Sequence, residues 1–210
     1  MTPNEYFDKV YVINLKDSTE RLEGFKKEAD RVNLLFERVE AIHGSNPDVE
    51  FNGEENEGWN RNAAALAKTT LGIVKDAKEK GYKRILIFED DSFMVPMNFN
   101  SIFSRAVRHL PSKEEGGWDF FHLNTYDEYP SRWVAPCLIK LAGAWCCQAY
   151  GIDEQVYDEY IRRLEKFDMP IDNMTLLIHK EREMSYATRP SIVTHRIGRY
   201  STLRDNIVQY

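Results

Sequence analysis

Three adjacent acids, Glu89, Asp90 and Asp91, follow directly on four apolar residues, Ile85 to Phe88, in the stretch ILIFEDDSF. A continuous apolar run of this length reads as a strand covered on both faces. Charges crowded at the end of such a strand repel each other, and they persist more readily when something positive sits among them. Glu89 and Asp91 are two positions apart, so their carboxylates share one side of an extended chain, and Asp90 points the other way unless the strand has ended. Two or three oxygen ligands suit Mg²⁺ or Mn²⁺ and are too few for a dedicated cage, so waters and substrate phosphates complete the shell. An acid pair that holds a metal through a diphosphate is what a nucleotide-sugar enzyme needs as its sugar–oxygen bond breaks. The competing reading assigns these acids to capping of a following helix or to surface ion pairs.

The elements that must position the acids are legible upstream. KVYVINL (9–15) is a strand of strong β-formers, and DSTERLEGFKKEADRV (17–32) is a helix with Asp17 as N-cap, Glu20 three residues on, and Leu22, Phe25, Ala29 and Val32 at helical spacing. LLFERVEAI (34–42) is a second strand, and 43–60 is a polar, Gly/Asn-rich loop. A second helix spans 61–81, with Leu66, Thr70, Ile73, Val74 and Ala77 on one face and Gly81 as its stop. Strand, helix, strand, helix, strand predicts a mostly parallel sheet with helices packed against it. Ligands of such sheets bind beyond the carboxyl ends of the strands, where Asn14, Leu15, Lys16 and the three acids fall.

The second half has a different texture. WDFFHLN (118–124) is a strand; 133–152 reads as two strands broken near Ala142 and Gly143; 153–167 is a helix capped by Asp153 with Val156, Tyr160, Ile161 and Leu164 inward. A short helix entered through Pro170 covers 169–183, and 185–195 is extended. No repeat, low-complexity run or linker divides the chain. One domain, 1–210, is expected.

Composition narrows the classes further. Of 210 residues 42% are apolar, enough for a full core, and 28 basic against 34 acidic residues give a net charge of −6, without the basic excess of a nucleic-acid surface. No apolar run approaches the ~20 residues of a membrane span, and MTPNEYFDKV lacks the order of a secretory signal. Cys137, Cys146 and Cys147 are odd in number and partly adjacent, which argues against a disulfide framework and for reduced thiols in a cytoplasmic protein.

VYVINLKDSTER, FERVEAIHG, an Ala-rich helix leading into ILIFEDD, then AYGI, PIDNMT and RPSIVTHR occur in the order expected of glycosyltransferase family 25. The chain resembles that family, which includes lipopolysaccharide glycosyltransferases and collagen galactosyltransferases, from about Val10 to about Arg204. The resemblance implies a GT-A-like α/β fold, a mostly parallel central sheet flanked by helices, with 1–95 as the nucleotide-sugar-binding half and 96–210 as a smaller acceptor side. It also implies an inverting transfer of galactose or glucose from a UDP-sugar to a hydroxyl of a glycan, lipopolysaccharide or protein. It makes EDD the family's Asp-x-Asp-like motif, with Asp91 the direct ligand of Mn²⁺ (or Mg²⁺) and Glu89 beside the ribose or a metal-bound water. One departure stands out: a Ser-His pair common near the start of the long helix aligns here with Ala67 and Lys68. It raises an alternative, a nucleotide-sugar or glycan-binding paralogue without turnover. A nucleotidyltransferase ranks last, because NLKDSTER contains no glycine for a phosphate loop.

Within that arrangement Asn14, Leu15, Arg21, Asn62, Glu89 and Asp90 make the expected donor-binding set. Arg21 binds a base oxygen or phosphate through its guanidinium fork, or pairs with Asp17 or Glu20 on its own helix. The alanines beside Asn62 allow a close ligand approach or tight helix–sheet packing, and Lys68 reads as solvated. Asp172 is the candidate catalytic base, since inverting transfer needs a carboxylate to take the acceptor proton, with helix capping as its rival role. His195 is a candidate third metal ligand or a structural residue. Arg196, Arg199 and Arg204 are candidates to fold over the diphosphate as a lid. Trp133, Trp145 and Tyr150 are candidates for an acceptor platform or for core.

Overall fold

The computed structural model describes residues 1–52, 54–56, 59–95, 97–127, 129, 131–195, 200–201 and 206–207. A one-turn helix α1 (Pro3–Tyr6) precedes β1 (Lys9–Asn14), α2 (Thr19–Val32), β2 (Glu37–Glu40), α3 (Arg61–Glu79) and β3 (Arg84–Glu89). Next come β4 (Ser92–Met94), α4 (Phe99–Val107), β5 (Phe120–His122), β6 (Tyr126–Asp127), β7 (Arg132–Ala135), β8 (Leu138–Lys140), β9 (Ala144–Trp145) and β10 (Ala149–Asp153). The chain continues through α5 (Tyr157–Leu164), α6 (Ile171–Arg182), β11 (Ser185–Thr188), β12 (Val193–His195), β13 (Tyr200–Ser201) and β14 (Asn206–Ile207).

The strands of the first half are apolar throughout because both faces of the sheet are covered. Val10, Val12, Leu86 and Phe88 pack with Phe25 and Ala29 of α2 and Phe99 and Phe103 of α4. The alternating set Tyr11, Ile13, Ile85 and Ile87 packs with Ala67, Leu71, Val74 and Ala77 of α3 and with residues of α5 and α6. Ile85 to Phe88 are fully buried. At about 1.5–3 kcal/mol for each such side chain, this burial holds the end of β3 in place.

Eight strands form one sheet in the order β2-β1-β3-β10-β5-β11-β8-β7. The sheet is mixed, where the sequence pattern led to a mostly parallel one. Three pairings are parallel (β1 with β2, β1 with β3, β5 with β11) and four are antiparallel. The βαβ logic holds through β3 and, by way of α4, for β5, which runs the same way as β3. β10 then enters beside β3 in the opposite direction, and short chain reversals link β7 to β8. Residues 133–152 hold parts of four strands rather than two, and the expected break at Ala142–Gly143 is one of several. Ser18, not Asp17, occupies the N-cap of α2, and Pro170 that of α6. Among the described residues no helix is long and apolar enough to cross a membrane.

Gly151 marks the tightest contact in the core. It sits on β10 opposite Leu86 and Phe121, and a Cβ there would stand 2.6 Å from both Cε1 and Cζ of Phe7. Phe7 is buried against Phe103 and Trp118 and has little room to yield. Gly151→Ala is expected to cost about 1–3 kcal/mol by overpacking. Urea unfolding measures this, and a wild-type midpoint would show that Phe7 relocates freely.

Candidate functional site

β1 and β3 lie parallel and end on the same side, so Asn14 and Glu89 emerge together. A cleft open to solvent lies beyond them, lined by Ile13, Asn14, Leu15, Arg21, Ala41 to Gly44, Asn62, Leu66, Glu89, Asp90 and Asp91. Asn14, Leu15, Arg21, Asn62 and the three acids are thus brought to one place from α2, α3 and two strand ends. Gly44 is needed for this closure: a Cβ there would stand 2.1 Å from Asn62 Oδ1 and 2.9 Å from its backbone nitrogen.

The positive charge among the acids is Arg21. Its guanidinium pairs with Asp90 and stands 3.6 Å from Asp91 Oδ2. The expected local rivals, Asp17 and Glu20, lose to acids about seventy residues away, because α2 lays its first turn against the end of β3. Asp90 is buried and points to the Arg21 side, where Asn14 Nδ2 donates to its Oδ2 at 2.7 Å. Asn14 also accepts from Arg38 Nε at 2.8 Å. Burial pushes the Asp90 carboxyl above the usual range, against the pull of Arg21 and Asn14.

Asp91 has a second set of partners. Gln148 Nε2 donates to its Oδ1 at 3.2 Å, and His195 Nδ1 lies 3.8 Å from Oδ2. Burial acts to raise the Asp91 carboxyl, but His195, Arg21 and Gln148 together outweigh it and hold it below the usual range. Glu89 is the opposite case. Its carboxyl is enclosed by surrounding atoms although part of the side chain reaches solvent, and burial, then the charges of Asp91 and Asp172, push it well above the usual range.

Asp172 and His195 are not among the cleft's lining residues. Asp172 sits in the first turn of α6 and is not a cap; its Oδ1 accepts the Cys147 backbone N–H at 2.8 Å. Asp153 is a cap, accepting from Gln155 N–H. His195 pairs across β12 and β4 with Ser92, and its Nδ1 lies 2.8 Å from Gln148 Nε2. That nitrogen accepts from the Gln148 amide, and His195 Nε2 lies 4.0 Å from Cys146 Sγ. Lys68 donates to the Asp48 carbonyl, and Ala67 is buried in the core. Tyr150 is core, Trp133 is exposed on the edge strand β7, and Trp145 is half-buried on β9. Arg196, Arg199 and Arg204 lie outside the described residues. Burial pushes the Cys146 and Cys147 thiols up, which removes them as thiolate nucleophiles.

Gln148 is the residue that sequence reasoning missed. It is buried, its backbone carbonyl accepts the Glu89 N–H at 2.8 Å, and its side chain spans Asp91, His195 and Asn124. A glutamine in a run of apolar residues was the available signal. Arg38, His43 and Gly44 were missed as well.

The donor chemistry bears on a metal. Glu89 and Asp91 offer hard carboxylate oxygens, the type that Mg²⁺ and Mn²⁺ take. Among the described residues no three His, Cys, Asp or Glu converge as a ready-made metal site. The residues fit a cation shared with a bound diphosphate and do not fit a metal caged by protein alone.

The fold is a layered α/β sheet with an acid-lined cleft beyond the carboxyl ends of its parallel strands, the place where ligands of such sheets bind. The model of glycosyltransferase family 25 (LPS biosynthesis protein) matches residues 7–175, and the chain belongs to that family. The matched span holds every candidate residue except His195 and the three arginines that follow it. No curated protein sequence matches significantly. Two solved structures are similar at 13% identity. One is a glycosyltransferase involved in the glycosylation of the major capsid of PBCV-1, with TM-score 0.40 over 75% of this chain and 64% of that chain. The other is a protein from STIV, with TM-score 0.45 over 96% and 93%. Likeness at this level supports no functional conclusion.

Proposed function

We propose that the protein transfers a hexose, galactose or glucose, from a UDP-sugar to a hydroxyl of a glycan, lipopolysaccharide or protein acceptor, by a metal-dependent inverting reaction on a GT-A-like fold. The observation that carries this reading is the single cleft uniting Asn14, Leu15, Arg21, Asn62 and the three acids. Asn14 and Leu15 contact the nucleoside, and Arg21 balances the acids from the side of α2. Glu89 and Asp91 hold Mn²⁺ or Mg²⁺. The bound cation supplies charge neutralisation for the leaving diphosphate. Asp172, near Glu89, takes the proton of the attacking hydroxyl. The Ala67–Lys68 departure leaves this set intact, since neither residue lines the cleft, and this favours an active enzyme over a paralogue that only binds.

Calorimetric titration of UDP with and without Mn²⁺ tests the reading. Wild type is expected to bind UDP in a Mn²⁺-dependent manner, and Asp91→Asn to bind it more than about tenfold more weakly with an unchanged circular dichroism spectrum. Full Mn²⁺-dependent affinity in the variant would remove Asp91 from the site. Absence of UDP binding under every condition would refute the nucleotide-sugar reading.

A further inference from the structure

We infer that the exposed ring of Tyr126, with Trp145 opposite it, is a stacking subsite for a saccharide ring of the acceptor; the inference rests on the sugar-transfer reading above. Tyr126 lies on β6 and pairs directly with Trp145 of β9, so the two side chains share a face of this two-stranded ribbon. Tyr126 is 45% exposed. Its ring lies parallel to that of His195, at 7° with centroids 6.2 Å apart. His195 is in turn fixed by Gln148 and stands beside Asp91. The platform is therefore joined to the acids through two defined contacts.

The chain beyond Trp145 leads into the same centre. Cys146 has φ 104°, a left-handed conformation that a non-glycine residue rarely adopts. Immediately after it, the Cys147 N–H meets Asp172 and the Gln148 amide meets Asp91. One short segment thus carries an aromatic face, a contact to the candidate base and a contact to the candidate metal ligand. A ring stacked on Tyr126 is linked to Asp91 through His195. The chemistry recognised is the apolar C–H face of a pyranose against an aromatic face, with hydroxyls left to polar groups and water. This replaces the expectation for Tyr150, which is core, and for Trp133, which lies on the far edge of the sheet.

Saturation-transfer NMR with methyl β-galactoside and methyl α-glucoside, on full-length protein holding UDP and Mn²⁺, tests the subsite. Wild type is expected to transfer saturation to at least one glycoside. Tyr126→Ala is expected to weaken that glycoside about tenfold, the scale of one lost ring contact, while Tyr126→Phe stays within about twofold. Trp133→Ala is expected to match wild type. UDP affinity, measured in parallel, is expected to be equal in all four proteins. A Tyr126→Ala protein that keeps the wild-type glycoside signal overturns the subsite, as does a wild type that binds UDP but neither glycoside. A wild type that does not bind UDP overturns the sugar-transfer reading and the subsite with it.

Discussion

Replacing Arg21 by methionine is expected to destabilise the protein by about 3 kcal/mol at neutral pH, the low end of the cost of orphaning one member of a buried ion pair. The Asp90 side chain is only 7% exposed, and its charge is met by the Arg21 guanidinium and the Asn14 amide. Methionine keeps most of the apolar stem of Arg21 and removes the cation. The remaining carboxylate then has a single amide donor and little water. Burial already pushes Asp90 upward, and loss of Arg21 pushes it further. The folded variant then binds a proton more readily than the unfolded chain does. Its deficit against wild type therefore narrows as pH falls. Urea unfolding of wild type, Arg21→Met, Asp90→Asn and the double variant at about pH 7.5 separates the terms. The double variant is expected to be more stable than Arg21→Met, because the orphaned charge is gone. A loss below about 0.5 kcal/mol in Arg21→Met would show a solvated pair worth no more than a surface contact.

Acid is expected to weaken the fold through two buried histidines. His122 and His179 face each other at 3.2 Å between their Nε2 atoms, and His122 Nδ1 lies 3.0 Å from the Cys146 carbonyl oxygen. A carbonyl only accepts, so His122 Nδ1 carries its proton and its Nε2 is bare. His179 Nε2–H therefore donates to His122, and His179 Nδ1 is left buried without a hydrogen-bond partner. A second proton on His122 would set two N–H groups against each other. Burial lowers His122 from its ordinary 6.5 to about 4, and burial together with His122 lowers His179 well below it. Between these values the unfolded chain holds a proton that the folded chain refuses, so stability is whole above about pH 6.5 and falls as pH drops towards 4. For His122 alone the loss amounts to about 3 kcal/mol at the acid end, at about 1.36 kcal/mol for each pH step between the two values. His122→Gln offers an amide N–H to the Cys146 carbonyl and an oxygen to His179. It is expected to unfold like wild type near pH 7.5 and to lose stability less steeply on acidification, by about one proton. Identical acid slopes for the two proteins would place the titration elsewhere.

The acid cleft was legible in the sequence because its first half obeys a local rule. A strand buried on both faces must be apolar throughout, and strands joined by helices run parallel, so their carboxyl ends meet. Periodicity in α2 and α3 and the run Ile85 to Phe88 were enough to bring Asn14, Asn62 and the acids to one side. Family membership followed from an ordered set of short motifs along nearly the whole chain. Beyond β3 the rule no longer covers every strand. Strands of two to five residues, several joined by short loops, leave no period to read, so the antiparallel entry of β10 between β3 and β5 was not foreseen.

What the amino-acid sequence determined by itself was which residues are chemically able to act and which end of the sheet they occupy. What only the tertiary structure decided was how they pair. Arg21 had acids one and four residues away, Glu20 and Asp17, and took Asp90 and Asp91 instead, because the packing of α2 on the sheet removed that pair from water and made the distant contact the stronger one. Tyr126 and the histidine pair carry no local signature, and the lone glutamine in AWCCQAYGI marks Gln148 without its partners. Their pairings with Asp91 and His195, and that of His122 with His179, span between 47 and 69 residues, and such contacts exist only once the sheet has brought its two halves together.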